Sequence, residues 1–493
     1  MSPNSGRPRA ASSQPRHHTG GAPVNRRAQT GGSRPPAWRG ARGGKRPRLS
    51  PDPARSAEQQ SALSLDLALR AALDAPAPAP MTFTQLGLPT PLVTELAGRG
   101  IREPFAIQSR VLPDALAGRD VLGRAQTGSG KTLAFGLPML TRLAERAAAA
   151  PRRTDRAPRG LVLVPTRELA LQVAEVLVPL GRSMRISVMT VYGGVALGRQ
   201  IDRLRRGVDV VVATPGRLID LMDRGACVLD EVSITVLDEA DHMADLGFMP
   251  SVTRILDATP SGQRLLFSAT LDRGVARLVT RYLADPALHA ITPAVNANDV
   301  EHQVFVLPVE EKLAIATEIA GREGRTLFFV RTKHGADRLA RQLTKAGIDA
   351  AAIHGNLNQN QRQRALAAFA AGSPRVLVAT DVAARGIHVD DIGLVVHYDP
   401  PSDHKDYLHR SGRTARAGAT GAVVALVEPG QVREVGRIHN AAGVTSVSHR
   451  VEPGHQAVRE LAESGRPIIL ARPLPRSVPA GSGRRPRPRR AAG

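Results

Sequence analysis

Short apolar runs rich in β-branched residues recur through the middle of the chain, and stretches with helical spacing lie between them. The runs fall at 161–164, 208–212, 234–237, 265–267, 327–330, 376–378 and 394–396, and the helical stretches include 168–180, 334–346 and 358–370. Runs of three to five apolar residues are too short for buried helices. Continuous rather than alternating apolarity predicts strands covered on both faces, as in a parallel sheet. Strand and helix in alternation predict an α/β, doubly wound architecture. A polar stretch at 293–301 divides the series, so two tandem domains are expected, at 81–296 and 297–450.

The ends have a different composition. Residues 1–80 hold thirteen basic and four acidic residues, residues 451–493 hold nine and three, and both are rich in Pro, Gly, Ala and Arg. Such segments bury too little apolar surface to offset the entropy of ordering them, so both are expected to be disordered tails. Within the first, a patch at 63–69 has the composition of a short helix, ended by the Ala-Pro repeats at 75–80. The tails hold most of the chain's net charge of +23. An excess of that size points to a polyanionic partner, and Arg-Gly and Arg-Pro clusters at 39–44 and 484–490 suit nonspecific tethering of nucleic acid. The single cysteine, Cys227, excludes an intramolecular disulfide framework. No run approaches the roughly 18 apolar residues needed to span a bilayer, and no apolar segment of a secretory leader stands at the N-terminus. A cytoplasmic location is expected.

Two local patterns carry chemistry. Ala125, Gln126, Thr127, Gly128, Ser129, Gly130, Lys131 and Thr132 follow a plausible strand at 120–123. Glycines allow backbone N–H groups to wrap a phosphate, and a helix starting near Lys131 adds positive potential. Lys131 is placed to reach the β and γ phosphates of a nucleotide and the Thr132 hydroxyl to ligate Mg²⁺. The second pattern is Asp238, Glu239, Ala240 and Asp241 at the end of an apolar run. A carboxylate here suits a magnesium ion, and its neighbour suits the attacking water.

With these residues the chain resembles the DEAD-box RNA helicases, nearest the bacterial RhlE-like group, from about Phe83 to Gly418. The resemblance implies two RecA-like domains, ATP and Mg²⁺ as cofactors, and RNA as a largely sequence-independent partner. It assigns roles residue by residue. Asp238 holds the metal, and Glu239 orients and deprotonates water. Gln108 reads the adenine edge and Phe83 stacks on its face. Pro165, Thr166, Arg167, Gly194, Thr214, Pro215 and Arg217 in the first domain contact RNA, as do Arg331, Thr332, His354, Gly355 and Thr380 in the second. Thr166 reads equally as a helix N-cap. Ser268, Thr270 and His409 couple the ATP site to RNA, the first two through the acids at 238–241. Asp381 touches nucleotide, and Arg413 and Arg416 are arginine fingers. The chain departs from the family pattern at Ile101, Phe105 and His388. Ribosome assembly and RNA decay are the settings that the resemblance suggests. An ATP-gated RNA clamp that unwinds little shares every motif. A DNA-directed translocase is the other alternative, against which the Gln108 and Asp238–Asp241 motifs speak.

Overall fold

The computed structural model describes residues 53–76, 78–125, 128–149, 157–291, 300–384, 389, 392–415 and 421–462. Among them, two sheets of seven strands form. The first contains β1 (Val121–Arg124), β2 (Gly160–Leu163), β3 (Val188–Val191), β4 (Val210–Ala213), β5 (Ile234–Leu237), β6 (Gln263–Ser268) and β7 (Ala287–Ala290). The second contains β8 (Glu301–Val306), β9 (Arg325–Phe329), β10 (Ala350–Ile353), β11 (Val376–Ala379), β12 (Ile392–His397), β13 (Ala422–Val427) and β14 (Val447–Arg450). The orders are β3-β4-β2-β5-β6-β1-β7 and β10-β11-β9-β12-β13-β8-β14. Renumbered from its own first strand, the second order is identical to the first. All pairings are parallel. These are the two tandem RecA-like α/β domains that the sequence predicts.

Each apolar run is a strand because its alternate side chains enter two different cores. Val162, Val212, Val236 and Phe267 lie in one buried cluster, and Leu161, Leu163, Val211 and Leu266 in another on the opposite face. The second sheet is likewise covered on both faces, with Phe328 and Val378 on one side and Leu327 and Leu377 on the other. Complete burial of such side chains stabilises by about 1.5–3 kcal/mol each.

Two helices lie outside the expected domain bounds. A helix spans Pro53–Leu73, inside the segment expected to be a tail. Leu65, Leu69, Ala72 and Leu73 fall on one face at helical spacing and pack into the first domain's core, where Leu69 is fully buried. Asp66 on this helix pairs with Arg124 at 3.1 Å, and Arg110 donates to the Ala75 carbonyl at 2.6 Å. The composition is that of a tail, but the spacing is that of an amphipathic helix, and the spacing decides. At the other end the second domain continues past residue 450 through a helix at Gln456–Leu461, with Val458 fully buried. The remaining parts of the expected tails (1–52 and 463–493) and most of the expected linker (292–299) lie outside the described residues.

Beneath the helix His404–Ser411 the second domain buries an aromatic cluster. Tyr407 shares a 2.6 Å hydrogen bond with His302, stacks on His397 at 5.0 Å and packs against His439 at 4.5 Å. His439 Nδ1 in turn meets Ser446 Oγ at 2.8 Å.

Candidate active site and RNA face

Ligand sites of parallel α/β sheets form beyond the carboxyl ends of the strands. In the first domain β5, β6 and β1 are adjacent, so the segments beyond them converge. After β1 the chain turns through Gly128 and Gly130, at φ +89° and +87°, conformations that an L side chain adopts only under strain. The helix Lys131–Ala149 then begins. Lys131 is buried, donates to the Ala125 carbonyl at 3.0 Å and lies 3.6 Å from Asp238 at the end of β5. Gly128, Lys131, Thr132, Asp238 and Glu239 line one cavity of about 470 Å³. Gln126 and Thr127 lie outside the described residues.

Glu239 has φ 53° and ψ 52°. A non-glycine residue in this left-handed region costs roughly 1–2 kcal/mol, and such residues cluster at functional sites. The turn aims Glu239 into the cavity while Ala240–Asp245 begins a helix. His242, one turn on, meets the Glu239 carboxylate at 2.9 Å. The two carboxylates have opposite electrostatic situations. Burial, only partly offset by Lys131, pushes Asp238 up to about 6. Burial also acts upward on Glu239, but the His242 hydrogen bond and the charges of Lys131 and Arg413 hold it well below the ordinary carboxylate range. Arg413 belongs to the second domain, so part of the Glu239 environment comes from across the cleft.

Asp241 is tied to the strand-end residues of β6. Its carboxylate accepts from the Thr270 amide at 2.8 Å and hydroxyl at 3.0 Å, and its own amide donates to Ser268 Oγ at 3.2 Å. His409 faces His242 across the cleft with ring centroids 6.0 Å apart. Arg416, like His388, lies outside the described residues.

Three residues expected at the nucleotide have contacts within the protein. Phe83 is buried in the first domain's core with Leu86 and Leu88 and does not line the cavity of Lys131 and Asp238. Gln108 is also buried. Its amide oxygen accepts from the Phe105 N–H at 2.9 Å and its amide nitrogen donates to the Gly130 carbonyl at 3.0 Å. The amide thus joins the Phe105 backbone to the Gly130 turn, with one N–H and one lone pair left over. Asp381 is taken by Arg410, whose Nη2 lies 2.8 Å from it and whose Nη1 donates to the Asp399 carbonyl at 2.8 Å.

The residues expected to meet RNA lie beyond β2, β3 and β4 in the first domain and β9, β10 and β11 in the second, at matching places in two sheets of the same order. Thr166 and Thr332 are N-caps, accepting from Leu169 at 3.2 Å and Gly335 at 3.0 Å. Pro165 precedes Thr166. The Arg167 head lies over Gly194, where a Cβ would collide with it. Thr214 and Pro215 open the helix Pro215–Asp223, and Arg217 donates to the Val195 carbonyl at 3.2 Å. In the second domain Arg331 and Gly355 are exposed and Thr380 is buried. His354 is held by Asp337 at 2.8 Å.

Some residues of the site were not anticipated. Glu168 is buried and its Oε1 receives both Gln359 Nε2 at 3.1 Å and Arg362 Nη2 at 3.2 Å from the second domain. His242 and Arg410 are the others. Glu168 stands inside the 165–170 motif, but its partners lie about 190 residues away in the chain, so spacing gives it no partner. The spacing of His242 one turn after Glu239 could have marked the first of the other two.

A phosphate loop, a carboxylate pair on the neighbouring strand and a second domain of equal topology supplying arginine define a two-domain P-loop NTPase core of the helicase type. Residues 105–278 match the family described as DEAD/DEAH box helicase, and residues 311–418 match the helicase conserved C-terminal domain, together more than half of the chain. A maize relative, the chloroplastic DEAD-box ATP-dependent RNA helicase 3B, is 42% identical over 370 residues, covering 74% of this chain and 49% of its own. The ATP-dependent RNA helicase DBP2 of Gibberella zeae is 42% identical over 358 residues, covering 70% and 63%. The structure of S. cerevisiae Dbp5 bound to RNA and ADP BeF3 superposes with a TM-score of 0.66 at 29% identity, covering 78% of this chain and 98% of that one. The chain belongs to the DEAD-box helicase family. It spans about half the length of the maize relative and under two thirds of the fungal one.

Proposed function

We propose that the chain is an RNA-stimulated ATPase that opens short RNA duplexes, or remodels RNA–protein complexes, by closing its two domains on ATP and RNA. The observation that carries this reading is the division of one site between two domains. Lys131, Asp238 and Glu239 come from the first, and the Arg413 charge that acts on Glu239 comes from the second. The relatives named as ATP-dependent RNA helicases support the same substrate.

Amides at the start of the helix Lys131–Ala149 and the Lys131 ammonium hold the phosphates. The donor set fits Mg²⁺: a hydroxyl (Thr132) and a carboxylate (Asp238) line the same cavity, and the remaining positions fall to phosphate oxygens and water. Burial leaves Asp238 short of positive charge, which favours binding a cation there. Bound, the ion neutralises charge on the phosphates. Glu239, held ionised by the His242 hydrogen bond, is placed to orient the attacking water and take its proton. Arg413, with Arg416 proposed beside it, offsets charge on the transferring phosphoryl group.

On the other side of the strand ends, each capping threonine accepts a backbone N–H and keeps its own O–H to donate to a phosphate oxygen. With Arg167, Arg217 and Arg331 they suit a backbone without reading bases. The basic segments 1–52 and 463–493 act as electrostatic tethers. RNA affinity and salt slope unchanged on deleting both segments would count against tethering. We place the protein in the cytoplasm, with ribosome-assembly or RNA-decay proteins as candidate partners. The maize and Gibberella relatives lie outside bacteria and lend no support to a place nearest the RhlE-like group. The test of the reading is the rate of ATP hydrolysis with single-stranded RNA and with DNA of matched sequence. Stimulation by RNA alone is expected, and equal stimulation by both would refute the RNA assignment.

A further inference from the structure

A second charged contact crosses the cleft, away from the arginine fingers. Lys405 stands in the first turn of the second domain's helix His404–Ser411, the helix that ends just before Arg413. Its ammonium lies 3.0 Å from Asp272 Oδ2 in the first domain. Asp272 is the N-cap of the helix Arg273–Tyr282, and its Oδ1 accepts from the Val275 amide at 2.9 Å. One oxygen therefore fixes the carboxylate to its own domain while the other faces the partner domain. Both side chains are about one-fifth exposed, so the pair is shielded more than a surface ion pair. Burial disfavours the ammonium, yet the Asp272 hydrogen bond and charge, with Asp245 and Asp241 beyond it, hold Lys405 above the usual lysine value. Asp241 is the residue tied to Thr270 and Ser268.

The location gives the contact leverage. Lys405 sits one turn before His409, which faces His242, and two turns before Arg413, whose charge reaches Glu239. Lys405, His409, Thr270 and Ala125 line one small cavity between the domains, of about 180 Å³. A tie at the start of this helix sets where its far end falls. Glu168 with Gln359 and Arg362 forms another tie, so the domains are pinned at two points, and the two together fix an angle that neither fixes alone.

We infer that Lys405 and Asp272 form an interdomain latch that positions the helix His404–Ser411, and so Arg413, in the closed state. The inference rests on the proposed closure-driven ATPase. Lys405 touches no reacting atom; it is a positioning residue. Its loss should therefore disturb the probability of closure more than the chemistry within a closed molecule.

The test uses the full chain and four variants: Lys405→Glu, Asp272→Asn, Asp272→Lys, and the double variant Lys405→Glu with Asp272→Lys. Asparagine keeps the N-cap acceptor while removing the charge, so Asp272→Asn separates latch from fold. Steady-state ATPase is measured against RNA concentration, and domain approach by fluorescence energy transfer with a non-hydrolysable ATP analogue and RNA. Lys405→Glu is expected to raise the RNA concentration for half-maximal stimulation by about fivefold, the low end of a coupling between sites. Asp272→Asn should raise it by about twofold, the scale of one partly screened ion pair. Maximal turnover at saturating RNA should stay within about twofold in both, as expected when the lost interaction serves closure and not the chemical step. The double variant should recover most of the Lys405→Glu loss, and the fraction of closed molecules should follow the same order. Unchanged half-points in both Lys405→Glu and Asp272→Asn would overturn the latch, and so would a double variant no better than Lys405→Glu. A wild-type chain that shows RNA-stimulated turnover alongside such results leaves the proposed function standing and removes only the latch. A wild-type chain with no RNA stimulation removes both.

Discussion

The buried histidines of the second domain should make it sensitive to acid, and His439 shows by how much. Its side chain is 3% exposed, packed on Tyr407 and bonded to Ser446. Burial, with the charge of His302 nearby, pulls its pKa from 6.5 to about 4. The sign depends on which state takes the proton. Above pH 6.5 neither the folded nor the unfolded chain holds it. Between 6.5 and 4 the unfolded chain protonates and the folded chain does not, so unfolding is favoured as pH falls. Below about 4 both hold it and the loss is complete. With about 1.4 kcal/mol per pH unit for one proton, the loss across that window is about 3 kcal/mol. His397 acts in the same direction, since burial and the Arg410 charge hold its pKa well below the usual histidine value. His439→Asn removes the titration and keeps a polar atom near the Ser446 hydroxyl. Urea unfolding of the full chain at pH 7.5, 6, 5 and 4, read by hydrogen exchange in 432–442, should give a wild-type curve that falls about 3 kcal/mol further than the variant's. Any constant cost of the substitution shifts the variant curve without changing its slope. Parallel curves would refute the reasoning, because they would mean that His439 takes up its proton equally in both states.

Three other outcomes are expected. Glu239→Gln should lower ATP turnover by about a hundredfold or more while ATP and RNA binding persist, measured by single-turnover hydrolysis beside filter binding; near-normal turnover would remove the role given to Glu239. Gly130→Ala places a Cβ against Gln108 and the Phe105 ring at a φ of +87°, so affinity for a fluorescent ATP analogue should fall about tenfold or more, from a backbone cost of this kind. Leu69→Ala empties a fully buried site at a cost of about 2–4 kcal/mol. That is enough to release the helix Pro53–Leu73, seen as faster hydrogen exchange across 53–73 with the second domain unchanged.

Most central strands were legible because burial on both faces demands continuous apolar side chains, as in β2, β4, β5, β9, β11 and β12, though β8 and β13, also inside their sheet, were not among the expected runs. The edge strands were not. β7 reads Ala-Leu-His-Ala and β14 reads Val-Ser-His-Arg, patterns with no clear period, since a strand with one neighbour and partial cover can carry polar groups. The phosphate loop and the carboxylate pair were legible because their chemistry requires particular residues at fixed spacing. Phe83 and Gln108 show the opposite case. Each has the residue type that a base would want, but a phenylalanine close to a core and a glutamine close to a loop carbonyl find partners within the protein. Glu168 and Asp272 were illegible for a third reason. Their partners lie in the other domain, and local spacing says nothing about which acid meets which base across a cleft.

The two sheets share a strand order, but the segments after their first strands differ. After β1 the chain offers glycine, lysine and threonine; after β8 it offers Leu307, Pro308, Val309, Glu310 and Glu311. Glu310 and Glu311 repel a phosphate where the first domain attracts one, and Pro308 has no N–H to offer it. On the proposed function, one half of a repeated architecture would receive the nucleotide and the other would respond to it. Nucleotide and RNA would then stabilise the same juxtaposition of two rigid bodies, each from its own side of the strand ends. Under that arrangement the coupling is reciprocal: whatever factor ATP adds to the affinity for RNA, RNA adds to the affinity for ATP. On the proposed function, hydrolysis would be the step that breaks this symmetry, by removing the phosphate that Lys131 and the arginine side would both hold.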